Sequence, residues 1–145
     1  MVTVSATARL AATPDAVFDI VDTPKNHQRL SPSLSSVYDV DALDGGGHRA
    51  LYTYRLFGVP LPGSVEVVEH DRPTRLRVAL RGGVDGEMDW RFAADGAGTV
   101  VTCEATFTVP GGMLASLFEP VVRRYNQQEL EETLGNLGEM LRTTE

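Results

Sequence analysis

One run in this 145-residue chain is long and regular enough to be a multi-turn helix, residues 120–142. At about 1.5 Å per residue it would extend roughly 34 Å, the width of a small domain. Pro120 suits a first helical turn, where its missing N–H has no intrahelical bond to lose. Val122, Asn126, Leu130, Thr133, Leu134, Leu137, Met140 and Leu141 recur at steps of three and four and so share one face, while Arg124, Glu131, Glu132, Glu139 and Arg142 fall opposite. The apolar face has to be buried against something. Two of its members, Asn126 and Thr133, are polar, and a buried amide or hydroxyl is costly unless it is hydrogen-bonded. Either a sheet or a bound molecule has to supply that partner. Ahead of the helix, Met113, Leu114, Leu117 and Phe118 read as a separate helical turn or lid, and Gly135 and Gly138 fall toward the polar side.

The rest of the chain supplies the surface this helix needs. Residues 2–10 alternate, with Val2, Val4, Ala6, Ala8 and Leu10 on one side and Thr3, Ser5, Thr7 and Arg9 on the other, as in a half-buried strand. Thr13-Pro14-Asp15 reads as a helix cap, first residue and acidic first turn, followed by Ala16, Val17, Phe18, Ile20 and Val21. Thr23-Pro24 repeats the cap signal and opens a second short helix through Leu30, ended by Ser31-Pro32. From there the chain reads as strands divided by turn residues: 37–43, 49–57, 65–70, 75–81, 84–92 and 99–109, with Asp44-Gly45-Gly46-Gly47, Asp71-Arg72-Pro73-Thr74, Gly82-Gly83 and Asp95-Gly96-Ala97-Gly98 between them. Residues 58–63, Gly-Val-Pro-Leu-Pro-Gly, read as a loop because two prolines interrupt the pattern.

Parity assigns the faces. Leu76, Val78, Leu80, Met88, Trp90, Phe92, Val101, Cys103, Ala105 and Phe107 share one side; Arg75, Arg77, Glu87, Asp89, Arg91, Thr102 and Glu104 share the other. A single antiparallel sheet with one apolar face needs a cover, and the long helix is the element that can cross it. The expected class is therefore α+β, one domain over 1–145, with 42% hydrophobic residues, enough for a real core.

Composition narrows the function. A net charge of −7 opposes binding to a phosphate backbone, so nucleic acid is not an expected partner. No apolar run approaches the ~20 residues of a membrane span, and the N-terminus alternates where a signal peptide would be continuously apolar, so a cytoplasmic protein without a transmembrane segment is expected. Cys103 is the single cysteine and reads as a small core residue; no internal disulfide, metal site or cofactor is expected. His27, His48 and His70 show no metal-ligand spacing and read as surface histidines.

The order β-α-α-β6-α resembles a known superfamily, with Thr-Pro-Asp-Ala-Val-Phe opening the first helix, Gly98-Thr99-Val100-Val101-Thr102 opening the last strand and Asn136-Leu137 near the end of the long helix. It is similar to the START/Bet v 1-like (SRPBCC) group, specifically the polyketide cyclase/dehydrase and lipid-transport family, over nearly the whole chain. That resemblance implies a helix-grip fold, a seven-stranded curved antiparallel sheet wrapped around the C-terminal helix with a deep cavity between them. Members use it for lipids, quinones, hormones, polyketides or aromatic substrates. Residues 58–63 and Arg81-Gly82-Gly83 match the entrance loops of hormone-binding relatives in place and character, which implies a closing lid and its latch.

The clearly inward strand positions carry no Asp, Glu, His, Lys or Arg, which argues against hydrolytic or metal chemistry. Tyr52, Tyr54 and Leu56 should point inward, since Thr53 and Arg55 then face water. A tyrosine in such a cavity contacts a ligand or bonds to Asn126 or Thr133 across it, and both readings stay open. The candidate ligand-binding residues are Tyr52, Tyr54, Leu61, Met88, Trp90, Phe107, Phe118, Asn126, Leu130 and Thr133; no catalytic residue is assigned. The expected function is binding of an apolar or amphipathic small molecule, a lipid, quinone or aromatic metabolite, as carrier or sensor, in a cavity of at least a few hundred Å³. One alternative is a cyclase/aromatase or dehydratase in which Tyr52, Tyr54 and Asn126 polarise a carbonyl. The other is a protein-interaction module, which an exposed patch at Val59, Leu61, Met113 and Phe118 would favour. Oligomeric state is left open.

Overall fold

A computed structural model of the protein describes residues 1–108 and 118–143. The expected turn or lid at Met113, Leu114 and Leu117 lies outside the described residues. Strand β1 (Val2–Leu10) is followed by helix α1 (Pro14–Val21), a 3-10 turn (Pro24–Asn26) and helix α2 (His27–Leu30). Six strands succeed them: β2 (Leu34–Ala42), β3 (His48–Leu56), β4 (Val59–Asp71), β5 (Arg75–Gly82), β6 (Asp85–Asp95) and β7 (Gly98–Thr108). Helix α3 (Glu119–Thr143) completes the described chain. The strands form one antiparallel sheet in the order β1-β7-β6-β5-β4-β3-β2, a meander whose first strand closes onto the last. This is the α+β helix-grip arrangement.

Local chemistry fixes the short helices. Thr13 caps α1, its hydroxyl accepting the Ala16 N–H at 3.3 Å. Thr23 does not act as a second cap; its hydroxyl donates back to the Asp19 carbonyl at 2.9 Å. The last carbonyls of α1 instead accept from Asn26 Nδ2 (to Ile20, 3.0 Å) and from His27 Nε2 (to Val21, 2.7 Å), which satisfies groups that a helix end leaves open. Asn136 Nδ2 on α3 donates to the Leu30 carbonyl at 2.8 Å, tying the end of α2 to the long helix.

Parity holds across the sheet. On the outer face Arg75 makes two hydrogen bonds to Asp89 at 2.9 and 3.0 Å, and Arg77 reaches Glu69 at 3.0 Å. On the inner face Trp90, Phe92, Val101 and Cys103 are buried with Phe18 of α1 and Leu137 of α3. Burial pushes the Cys103 thiol well above its ordinary range, so it is an unreactive core group. Gly138 is buried rather than on the wet face: a Cβ there would lie 3.4 Å from Leu10, so the glycine lets α3 settle closely on β1.

The expected loop at 58–63 is strand. β3 and β4 pair from Leu56↔Val59 through Tyr54↔Leu61 to Tyr52↔Gly63, joined by a two-residue turn at Phe57 (φ 52°) and Gly58 (φ 79°), both left-handed as a type I′ turn requires. Starting from the closing pair Leu56↔Val59, the antiparallel alternation puts Pro60 and Pro62 at positions whose N–H would face away from β3. The β4–β5 pairing begins only at Gly63↔Gly82, so no ladder bond is lost on that side. The matching latch is a tight connection in which Gly83 N–H donates to the Pro62 carbonyl at 2.8 Å. The Leu61 amide should therefore exchange slowly with solvent in protein free of any ligand; exchange as fast as in an open loop would contradict the pairing.

Candidate ligand-binding site

The core is filled at one end and hollow at the other. Where α1 and the C-terminal half of α3 meet β1, β6 and β7, large side chains pack: Phe18, Phe92, Leu137 and Leu141. Toward β3, β4 and β5 the wall mixes large side chains, Tyr52, Tyr54, Leu76 and Leu80, with the smaller Ala50, Val65, Val67 and Val78, and glycines interrupt the strands. A Cβ at Gly86 would lie 2.1 Å from the Thr106 carbonyl oxygen, and one at Gly63 would lie 2.6 Å from that of Arg81 and 2.8 Å from the Tyr52 hydroxyl. Only glycine permits these close approaches. Between this part of the sheet and the N-terminal half of α3 lies a cavity of about 200 Å³, smaller than expected. Val37, Leu76, Val78, Leu80, Met88 and Phe107 give it an apolar wall.

Tyr52, Tyr54, Met88, Trp90, Phe107, Asn126, Leu130 and Thr133 line this cavity. Two candidates do not. Phe118 is exposed, because the chain enters α3 beyond the covered part of the sheet. Leu61 is half-buried against the core edge, its strand being paired rather than folded over an opening.

The polar groups of the helix stripe are satisfied within the protein. The Tyr54 hydroxyl donates to Asn126 Oδ1 at 2.8 Å, Asn126 Nδ2 donates to the Val122 carbonyl at 2.8 Å, and the Thr133 hydroxyl donates to the Glu129 carbonyl at 2.8 Å. Burial, reinforced by the charge of Glu129, raises the Tyr54 pKa far above the ordinary phenol value. Tyr52 is pushed up to about 12, first by burial and then by Asp85, and its hydroxyl has no hydrogen-bond partner among the described residues.

Glu129 is the cavity-wall group that the sequence reading passed over. It stands three residues after Asn126 and four before Thr133, so the same helical phase that selects those two selects it. Ser31 Oγ and Ser33 N–H donate to Oε1 at 2.6 and 2.8 Å, and Ser33 Oγ donates to Oε2 at 2.9 Å. Tyr125 lies 2.6 Å from Ser33 Oγ and reaches the Arg55 carbonyl at 3.2 Å, so the network ties α3 to the start of β2 and the end of β3.

The histidines are not surface groups. His70 Nε2 lies 2.9 Å from Asp22 Oδ2, and its ring packs edge-on against Phe18. His27, an edge-on neighbour of Trp90, has its pKa lowered by burial. His27 and His48 both line the cavity, as does Asp22. Long-range packing, with β4 folding His70 back onto α1, brings these groups inward. Among the described residues no group of three or more His, Cys, Asp or Glu is arranged to hold a metal ion.

Two measurements test this geometry. Asn126→Leu leaves the buried Tyr54 hydroxyl without its acceptor and should lower stability by about 1–3 kcal/mol, whereas adding Tyr54→Phe should recover part of that loss; strictly additive losses would mean the bond is not formed. For Tyr52 the unfolded chain ionises near pH 10 and the folded chain near 12. The stability gained by keeping the phenol neutral is full below pH 10 and is lost as the pH rises to about 12. Chemical denaturation across that range should show a smaller decline for Tyr52→Phe than for the parent.

Among solved structures, a protein from Thermus thermophilus is 23% identical, with 98% of each chain covered and a TM-score of 0.78. A START superfamily protein from Mycobacterium smegmatis is 14% identical, with 99% of each chain covered and a TM-score of 0.79. A conserved protein from Geobacillus kaustophilus is 13% identical over 99% of this chain and 97% of its own, with a TM-score of 0.76. Likeness at these identities establishes a shared fold. No curated protein matches the sequence. Residues 1–142 match the family described as polyketide cyclase / dehydrase and lipid transport, and the chain belongs to that family.

Proposed function

We infer that the chain binds one apolar or amphipathic small molecule, as a carrier or sensor, in the cavity between sheet and α3. The observation that carries this reading is the hollow itself, about 200 Å³ with an apolar wall, in a core packed tightly at its other end. A cavity of about 150 Å³ with apolar walls can hold a benzene ring, so this one has room for a substituted ring or a short chain. Membership of a family whose description includes lipid transport supports the same class of cargo.

The cyclase or dehydratase alternative relied on Tyr52, Tyr54 and Asn126 to polarise a carbonyl. Tyr54 gives its proton to Asn126, and Asn126 gives its amide to the Val122 carbonyl, so two of the three donors are committed. A second reading, a contact surface for a protein partner, draws on exposed apolar side chains at Phe57 (54%), Val59 (57%), Phe118 (59%) and Val121 (53%), where Phe57 also packs on Tyr125.

Native mass spectrometry of protein purified without detergent should show a retained small molecule that is released on denaturation. Trp90, the single tryptophan and a wall residue, should change its fluorescence when an apolar probe such as propylbenzene enters. A bare mass together with no response to apolar probes would overturn the cavity-binding reading.

A further inference from the structure

We propose that the cavity has a hydroxyl-reading subsite built from Asp22 and His48, which selects an uncharged ligand with an apolar body and a terminal hydroxyl. The proposal rests on the binding reading above and assigns the end at which the ligand's polar group sits. Two fully buried side-chain atoms lack any hydrogen-bond partner among the described residues, Asp22 Oδ1 and His48 Nδ1. Both residues line the cavity. Buried polar atoms are nearly always paired, because an unpaired one loses its hydration and gets nothing in return.

The two residues belong to one end of the cavity, around His70. Asp22 is held through its other oxygen by His70, at 2.9 Å. The turn leading into His48 lies against the same His70 ring, since a Cβ on Gly46 would fall 2.8 Å from His70 Nδ1. His48 itself stands one step beyond the Arg49↔Glu66 pair, beside the β4 irregularity that precedes His70. Elsewhere in the wall the polar groups are largely committed to one another: Tyr54 to Asn126, Thr133 to its own helix, and Glu129 to Ser31 and Ser33.

The chemistry of the pair defines the head group. An ionised Asp22 oxygen only accepts, so the ligand has to donate to it. His48 Nδ1 donates in one tautomer, and a hydroxyl that gives its hydrogen to Asp22 accepts from Nδ1–H through its oxygen. A hydroxyl, unlike a group that only donates or only accepts, carries the chemistry that both atoms call for. A carboxylate would meet the charge of Asp22, with Glu129 further along the same wall, and would have no hydrogen to give. An ammonium could donate, but it would surrender its hydration to a mostly apolar chamber in which His70 already faces the carboxylate.

Calorimetric titration with four probes sharing one body tests this: propylbenzene, 4-propylphenol, 4-propylbenzoate and 4-propylbenzylamine. The phenol should bind roughly tenfold tighter than propylbenzene, and the two charged probes weaker than the phenol. His48→Phe should bring the ratio of phenol to propylbenzene affinity down towards one, whatever it does to propylbenzene binding itself. His48→Asn, which keeps a polar atom near the Nδ1 position, should restore part of the preference. Asp22→Asn should weaken the phenol and strengthen the benzoate. Propylbenzene binding with no advantage for the phenol, or tightest binding by the benzoate or the amine, would overturn the subsite and leave the cavity reading standing. A preference abolished by Tyr52→Phe but untouched in the Asp22 and His48 variants would place the head at Tyr52 and overturn it as well. Failure of all four probes would remove both readings together.

Discussion

One helix has to cover the concave face of a seven-stranded sheet, and the two do not match in width. Six spacings of about 4.8 Å make the sheet roughly 29 Å across, while a helix with its side chains is about 10–12 Å. The remainder has to be filled by side chains, covered by other elements or left open. All three occur. α1 and Phe18 fill the β6–β7 end, the Lys25 and Gln28 contacts to Val37 hold the 3-10 turn and α2 over the β2 edge, and the middle stays hollow. Glycines at 63 and 86 stand where a Cβ would collide with a neighbouring strand, and Val65, Val67 and Val78 leave space between the larger side chains.

A hollow core loses the packing that would otherwise position its cover, so directed bonds take over part of that task. Tyr54 with Asn126, and Glu129 with Ser31 and Ser33, join the N-terminal half of α3 to β3 and to the segment after α2. The C-terminal half needs fewer such ties, because Leu134, Leu137, Met140 and Leu141 are buried there. The long helix thus has a packed half and a polar-tethered half. The two polar side chains that interrupted its apolar stripe mark the tethered one. Within the protein their partners are Tyr54 of the sheet and the helix backbone.

Much of the fold was legible because it rests on periodicity. The alternation of Val2, Val4 and Leu10 marks β1 to the residue, and the parity of Trp90 and Cys103 places them on the covered face. Two kinds of feature were not legible. Pro60 and Pro62 read as strand breakers, since nothing local shows that the β5 pairing starts only at Gly63 and leaves their missing N–H groups without cost. His70 reads as a surface group because its partner is remote: it meets Asp22 across 48 residues, and no spacing rule connects β4 to the end of α1. Glu129 was within reach, since the helical phase that selects Asn126 and Thr133 also selects it, but a charged residue is ordinarily assigned to the wet face.

A molecule that fills the cavity can add appreciably to the stability of the fold. At about 24 cal/mol per Å³, a ligand occupying 200 Å³ of otherwise dry space would contribute on the order of 5 kcal/mol, comparable with the whole stability of many domains. Longer side chains at Val67, Val78 or Ala105 could reclaim part of it, and these positions carry no positive backbone angle or polar role that would forbid the change. Leaving Asp22 Oδ1 and His48 Nδ1 unpaired in the same wall carries a cost of its own. A molecule that fills the space and meets those atoms returns both contributions at once. Binding of the proposed kind would therefore appear as stabilisation of the fold that grows with the logarithm of ligand concentration, and one ligand would account for both the hollow and the orphaned atoms.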